Sequence, residues 1–305
     1  MTARRGHGKA VTVRARRGFL AGIAGVALAP LIGGCDSGGD TASRVSTLAW
    51  ALRQGKLRIG YANEAPYAYY DTAARRVTGE APEIARTVLG DLGIREIEGV
   101  LAEFGALIPG LKARRFDIIA AGMYVLPERC REIAFSNPTY RVREAFIVAP
   151  GNPKALHSYA DVVRRADARL AVVAGAVQRS YARRNGVPDE RVIVFPDAVS
   201  AMEGVVAGRA DAYAATSLTI NDLLARGTGK VERAVPFADP QINGAVVQGY
   251  GAFGFRKTDA DLVEAFNGGL ARLIGTPRHL DLVRPFGFTE NEFPGEITAA
   301  ALCRV

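Results

Sequence analysis

Histidine is scarce in this 305-residue chain: there are three, His7, His157 and His279, and none lies within metal-ligand spacing of another. No Cys-x-x-Cys occurs, so neither of the usual routes to a zinc site is open and no metal is expected. A Gly-x-Ser-x-Gly turn, which would expose an acyl-transfer serine, is missing too. Acidic residues are absent from residues 1–34, which hold six basic ones (Arg4, Arg5, Lys9, Arg14, Arg16 and Arg17). Beyond them, 33 basic residues face 31 acidic ones, so the formal charge of +8 shrinks to +2 and no nucleic-acid partner is expected. The uncharged run 19–34 contains Pro30 and, at 16 residues, falls short of the ~20 that a membrane helix needs.

That run, preceded by Arg16-Arg17-Gly18-Phe19-Leu20, fits the apolar region of an export signal, and the arginine pair resembles a twin-arginine signal. Leu31-Ile32-Gly33-Gly34-Cys35 resembles a lipobox, in which Cys35 is acylated and becomes the first residue of the mature chain. The polar stretch 36–43 then serves as a flexible tether. The expectation is an exported protein held by an N-terminal lipid at the outer face of the cytoplasmic membrane. With Cys35 assigned to lipid, Cys130 and Cys303 remain, and an even remainder outside the cytoplasm predicts a bridge. Two buried free thiols are the alternative.

In the body, strand and helix patterns alternate. Short apolar runs at 57–61, 117–121, 170–173, 191–195 and 210–214 predict strands, and spacings of three and four predict helices over 81–92, 106–115, 178–184, 198–207, 218–225 and 262–274. Such alternation implies right-handed βαβ units and parallel-rich sheets. Extended apolar segments at 145–149 and 250–255 bracket the second set of elements and predict two crossovers between lobes around a cleft. Gly249-Tyr250-Gly251-Ala252-Phe253-Gly254 fits a dinucleotide fingerprint by letters alone. An extended run continues where a helix should start, so no cofactor is expected.

Three segments carry a family resemblance: residues 61–67 (Tyr-Ala-Asn-Glu-Ala-Pro-Tyr), 103–111 (Glu-Phe-Gly-Ala-Leu-Ile-Pro-Gly-Leu) and 121–130 (Ala-Gly-Met-Tyr-Val-Leu-Pro-Glu-Arg-Cys). Through them the chain resembles the family-3 solute-binding proteins of ABC importers. Residues 186–197, the Thr219-Ile220-Asn221-Asp222-Leu223 run and the C-terminal cysteine are most similar to the ectoine/hydroxyectoine-binding branch. The resemblance implies a type II periplasmic-binding-protein fold: an α/β chain of two lobes joined by two hinge strands, with ligand at the carboxyl ends of the strands. Mapped on this chain, 1–34 is the signal peptide, 35–44 the lipidated cysteine and tether, 45–148 the first lobe, 149–248 the second, and 249–305 the return to the first lobe with a C-terminal tail.

Read from its neighbours alone, Arg129 fits equally well a surface ion pair with Glu128 or Glu132. The resemblance makes it the fork that grips a ligand carboxylate, a task for two parallel charge-assisted bonds. Glu64 aligns with an acidic residue that meets the ligand's cationic end, and Tyr67, Phe104 and Tyr124 with an aromatic box for a delocalised cation. Two positions depart from the amino-acid-binding pattern: Val177 replaces a hydroxyl residue and Thr216 replaces an aspartate that would meet an α-ammonium group. The expected function is capture of ectoine, hydroxyectoine or a similar zwitterionic compatible solute for the membrane subunits of an ABC permease, without catalysis. An amino-acid or opine receptor is the alternative within the family, and a dehydratase-like enzyme, with Glu64 as acid or base, the alternative outside receptor function.

Overall fold

The computed structural model describes residues 45–227 and 229–304. The leader, Cys35 and the tether lie outside the described residues. Strands and helices alternate and assemble into two mixed sheets. In the first, Lys56–Tyr61 runs parallel to Glu96–Leu101 on one side and to Ile118–Tyr124 on the other. Gly249–Phe255 then pairs antiparallel with Ile118–Tyr124 and receives the short strands Ala134–Phe135 and Tyr140–Val142 along its far edge. In the second sheet Val192–Phe195, Leu170–Val173 and Ala212–Thr216 are parallel, followed by Glu144–Val148, antiparallel to Ala212–Thr216, and then Glu232–Arg233, antiparallel to Glu144–Val148. No helix among the described residues is long and apolar enough to cross a membrane.

Local chemistry explains the elements that position the site. Ile84 and Val88 are buried on helix Glu80–Asp91, one helical turn apart, with Glu80 and Glu83 in the first turn where the helix dipole favours acid. Leu170–Val173 is buried at all four positions, as an interior parallel strand must be. The helix expected over 106–115 is shorter: a 3-10 turn at Phe104–Ala106 leads into Leu107–Lys112. Arg114 adopts φ 57°, and Arg115 N–H closes on Gly110 O at 3.0 Å, which ends the helix.

One boundary needs correction. The expected domain map ended the first lobe's opening stretch at residue 148 and read 145–149 as a crossover. Glu144–Val148 is instead an inner strand of the second sheet, buried at all five positions and bonded on both edges. The chain therefore changes sheets at Arg143, directly after Tyr140–Val142. A short continuous apolar run reads equally as connector or central strand, and only its pairing partners decide. The Gly-x-Gly-x-x-Gly letters lie wholly inside strand Gly249–Phe255. A Cβ on Gly249 would stand 2.2 Å from the Tyr124 ring, and one on Gly251 would stand 2.1 Å from the Tyr140 ring. These glycines make room for two tyrosines.

Candidate functional site

Each parallel strand that reaches the space between the sheets delivers side chains from the loop at its carboxyl end. After Lys56–Tyr61 come Glu64 and Tyr67, and a tight pairing of Glu64 with Ala68 through both backbone groups fixes that loop. Ile118–Tyr124 ends on Tyr124, and the short helix Pro127–Cys130 that follows presents Arg129. Phe104 opens the 3-10 turn after Glu96–Leu101. From the second sheet, Val177 stands at the N-cap of helix Gln178–Arg184 and Thr216 at the N-cap of Ser217–Arg226. All seven residues singled out in the sequence line one cavity, together with Gly122, Gln178 and Tyr213. A wider cavity of about 860 Å³ adjoins it and shares Glu64, Phe104 and Val173.

Bonds across this space join the sheets directly. Tyr67 OH donates to Thr216 Oγ1 at 2.8 Å, and Thr219 Oγ1 donates to Glu64 Oε1 at 2.8 Å. Arg129 is buried and donates through Nη1 to Tyr124 O and through Nη2 to Gly175 O, each at 3.0 Å, with its guanidinium 5.5 Å from the centre of the Phe104 ring. Two of the fork's five N–H groups are thus engaged by carbonyls from the two lobes. Gly175, at φ 75°, meets Gly105 so closely that a Cβ would stand 2.5 Å from Gly105 Cα. Val177, unlike a hydroxyl residue, supplies no side-chain cap to its helix. Cys130 and Cys303 are joined, Cα to Cα 5.8 Å, so the C-terminal helix Ala299–Leu302 is fastened beside the turn that carries Arg129.

The electrostatics follow from burial. Desolvation raises the Glu64 carboxyl above its usual range, although the bond from Thr219 opposes it. The same cause holds the Tyr67 and Tyr124 phenols far above their usual range, so their ring faces stay neutral. Desolvation lowers Arg129 to about 10, which leaves it charged at neutral pH. The pocket lining therefore combines a fixed cation, an acidic side chain and neutral aromatic rings. Such a pocket suits a molecule with an anionic end and a flat cationic end.

Sequence reasoning missed Gln178, Tyr213 and Thr219 around the pocket and Glu144 behind it. A signal for Glu144 was present, since it is the one charged residue of the strand Glu144–Val148. Thr219 opens a run that carries the branch resemblance but had no role attached, and Gln178 gave no signal, because a polar residue in the first turn of a helix is ordinary.

Residues 57–286 match the family model for bacterial extracellular solute-binding proteins, family 3. Over 244 residues the chain is 41% identical to the probable amino-acid ABC transporter periplasmic-binding protein y4tE of Sinorhizobium fredii, covering 79% of this chain and 80% of that protein. It is 28% identical over 242 residues to the L-arginine-binding protein of Pseudomonas aeruginosa, covering 77% and 89% respectively. Among solved structures, EhuB in complex with hydroxyectoine superposes with a TM-score of 0.77 at 34% identity, covering 84% of this chain and 97% of EhuB.

Proposed function

This chain belongs to the bacterial extracellular solute-binding proteins, family 3, and on that premise we propose that its ligand is ectoine, hydroxyectoine or a closely similar zwitterionic compatible solute. The receptor role itself, delivery of a small molecule to an ABC importer of the amino-acid type, goes with the family and its relatives. One observation carries the narrower reading. Tyr67, Phe104 and Tyr124 line a single cavity with Arg129 and Glu64, so an aromatic box stands together with a fork for a carboxylate and a counter-charge for a cation. Ectoine has those two ends, a carboxylate and a cyclic amidinium whose charge is spread over a flat ring. The likeness to EhuB, whose complex holds hydroxyectoine, supports the same choice.

The second lobe argues against an ordinary α-amino acid. Thr216 offers a hydroxyl already shared with Tyr67 and Thr219, and Val177 offers no polar atom, so neither gives a primary ammonium a charged acceptor. Receptor function also fits the pocket better than catalysis: among the described residues Glu64 is the one acidic side chain that lines it, and the hydroxyl beside it, on Thr219, is already bonded to Glu64 and to Thr216. As to delivery, the Arg16-Arg17 signal and the lipobox cysteine Cys35 support export by the twin-arginine route and anchoring at the outer face of the cytoplasmic membrane, beside the permease subunits.

Glu64→Gln tests the pocket. The amide keeps the shape and can still accept the Thr219 hydroxyl, but it lacks the charge. Affinity for ectoine should fall by about 10- to 100-fold, the range expected when a buried charge-assisted contact becomes a neutral one. The melting temperature should stay level or rise, because a buried carboxylate is costly to hold. Unchanged affinity in calorimetry would remove Glu64 from the site.

A further inference from the structure

Glu144 opens an otherwise apolar inner strand and is 3% exposed. Its backbone N–H donates to Asp239 Oδ1 at 3.0 Å, and Asp239 in turn takes Arg143 at 2.8 Å. One carboxyl oxygen of Glu144 accepts the Tyr124 hydroxyl at 3.3 Å, and the other accepts the Gln178 amide at 2.9 Å. Tyr124 belongs to the first sheet and Gln178 to a helix of the second lobe, and both line the pocket. A carboxyl thus stands one bond behind the pocket wall, attached to each side of the cleft. A neutral amide would make comparable bonds at smaller desolvation cost, so what distinguishes an acid at this place is its charge.

We propose that Glu144 is a positioning residue that clasps Tyr124 to Gln178 when the lobes close, and that its carboxyl loses a proton to solvent as a cation-bearing solute is captured. The inference rests on the reading of the pocket given above. The groups that face Glu144 fit the role. Glu64 and Asp239 repel its charge, and Tyr67, Tyr124, Tyr159, Tyr181 and Tyr213 are the phenols within reach of it, kept neutral by burial. The charge of Arg129 acts on Tyr181 in the opposite sense to that of Glu144. Desolvation raises the Glu144 carboxyl to about 7 against the bonds from Gln178 and Tyr124, so near neutrality it exists in both forms. A cation seated against Tyr124 favours the ionised form. Binding at low pH must then expel the proton, and affinity must rise with pH and level off above about 7.

The sign for the ligand-free protein is opposite. The folded carboxyl holds its proton to a higher pH than the unfolded chain, so its contribution to stability is present at low pH and is lost as pH rises through about 7. The decisive experiment measures both on wild type, Glu144→Gln and Glu64→Gln. Calorimetry with ectoine runs from pH 5.5 to 8 in buffers of different ionisation heat, and melting curves cover the same range without ligand. If binding lowers this pKa by one unit, wild type should bind about sevenfold more weakly at pH 5.5 than at pH 8 and release protons at the lower pH. Glu144→Gln should lose most of that slope, and Glu64→Gln should keep it at reduced affinity. A slope that persists in Glu144→Gln, or disappears only in Glu64→Gln, overturns the proposal. If wild type binds ectoine at no pH, the pocket reading fails, and the melting curves still judge Glu144: wild type must lose stability relative to Glu144→Gln as pH rises, and parallel curves refute a titrating clasp. Should Glu144→Gln not fold, Tyr124→Phe removes one bond to the carboxylate and must move the wild-type midpoint to higher pH; an unmoved midpoint overturns the proposal equally.

Discussion

Arg129→Ala should weaken solute binding by about 2–5 kcal/mol, roughly thirty- to several-thousand-fold in Kd, because a desolvated ligand carboxylate then has no partner. The structure adds a second reason for a large effect. Arg129 holds Tyr124 O on one lobe and Gly175 O on the other, so removing it also cuts a bond across the closed cleft. Arg129→Lys should recover little. An ammonium is a point charge, and it cannot span two carbonyls while presenting two parallel N–H groups to a carboxylate. The Phe104 ring, 5.5 Å from the guanidinium, also suits a flat cation better than a tetrahedral one. Calorimetry on folded variants measures both effects, and a lysine variant within about threefold of wild type would contradict the fork, since that gap is well under 1 kcal/mol.

Cys130→Ser should lower the melting temperature by about 10 °C, and Cys303→Ser should match it. The bridge joins residues 173 apart in sequence, and chain entropy alone assigns such a loop about 5 kcal/mol, a figure that native strain reduces. The two single variants should agree with each other and with the double variant, because each breaks the same link. Because the bridge also fastens helix Ala299–Leu302 beside the turn carrying Arg129, affinity should fall along with stability. A melting temperature unchanged by either substitution would show that the C-terminal helix docks without the bond.

The fold was legible where a strong pattern met burial. Leu170–Val173 and Gln178–Arg184 lie where their apolar run and spacing predict, because interior strands and amphipathic helices carry their environment in their composition. The helix Thr47–Gln54 was not read, since among its residues only Ala51 is buried; its markers are the caps, Ser46 accepting from Ala49 N–H and Gly55 at φ 65°. Glu96–Leu101 was missed for a related reason. It is an edge strand with little burial, and its charges, Glu96 and Glu98, pair with Lys56 instead of marking a loop. For the site, periodicity supplied only the strand ends. The choice of Glu64, Tyr67, Phe104, Tyr124, Arg129, Val177 and Thr216 came from the family resemblance, and the fold gathers all seven around one cavity. Glu144 and Gln178 are 34 residues apart and meet only through the second sheet, so no local pattern joins them.

The pocket should take a zwitterion with a delocalised cation in preference to an ordinary amino acid. Calorimetric titration of the mature wild-type protein with ectoine, hydroxyectoine and L-arginine tests it most directly. Saturable one-to-one binding of ectoine or hydroxyectoine is expected, at least about tenfold tighter than that of arginine, a gap of about 1.4 kcal/mol. Saturation by arginine with no heat from either ectoine would contradict it.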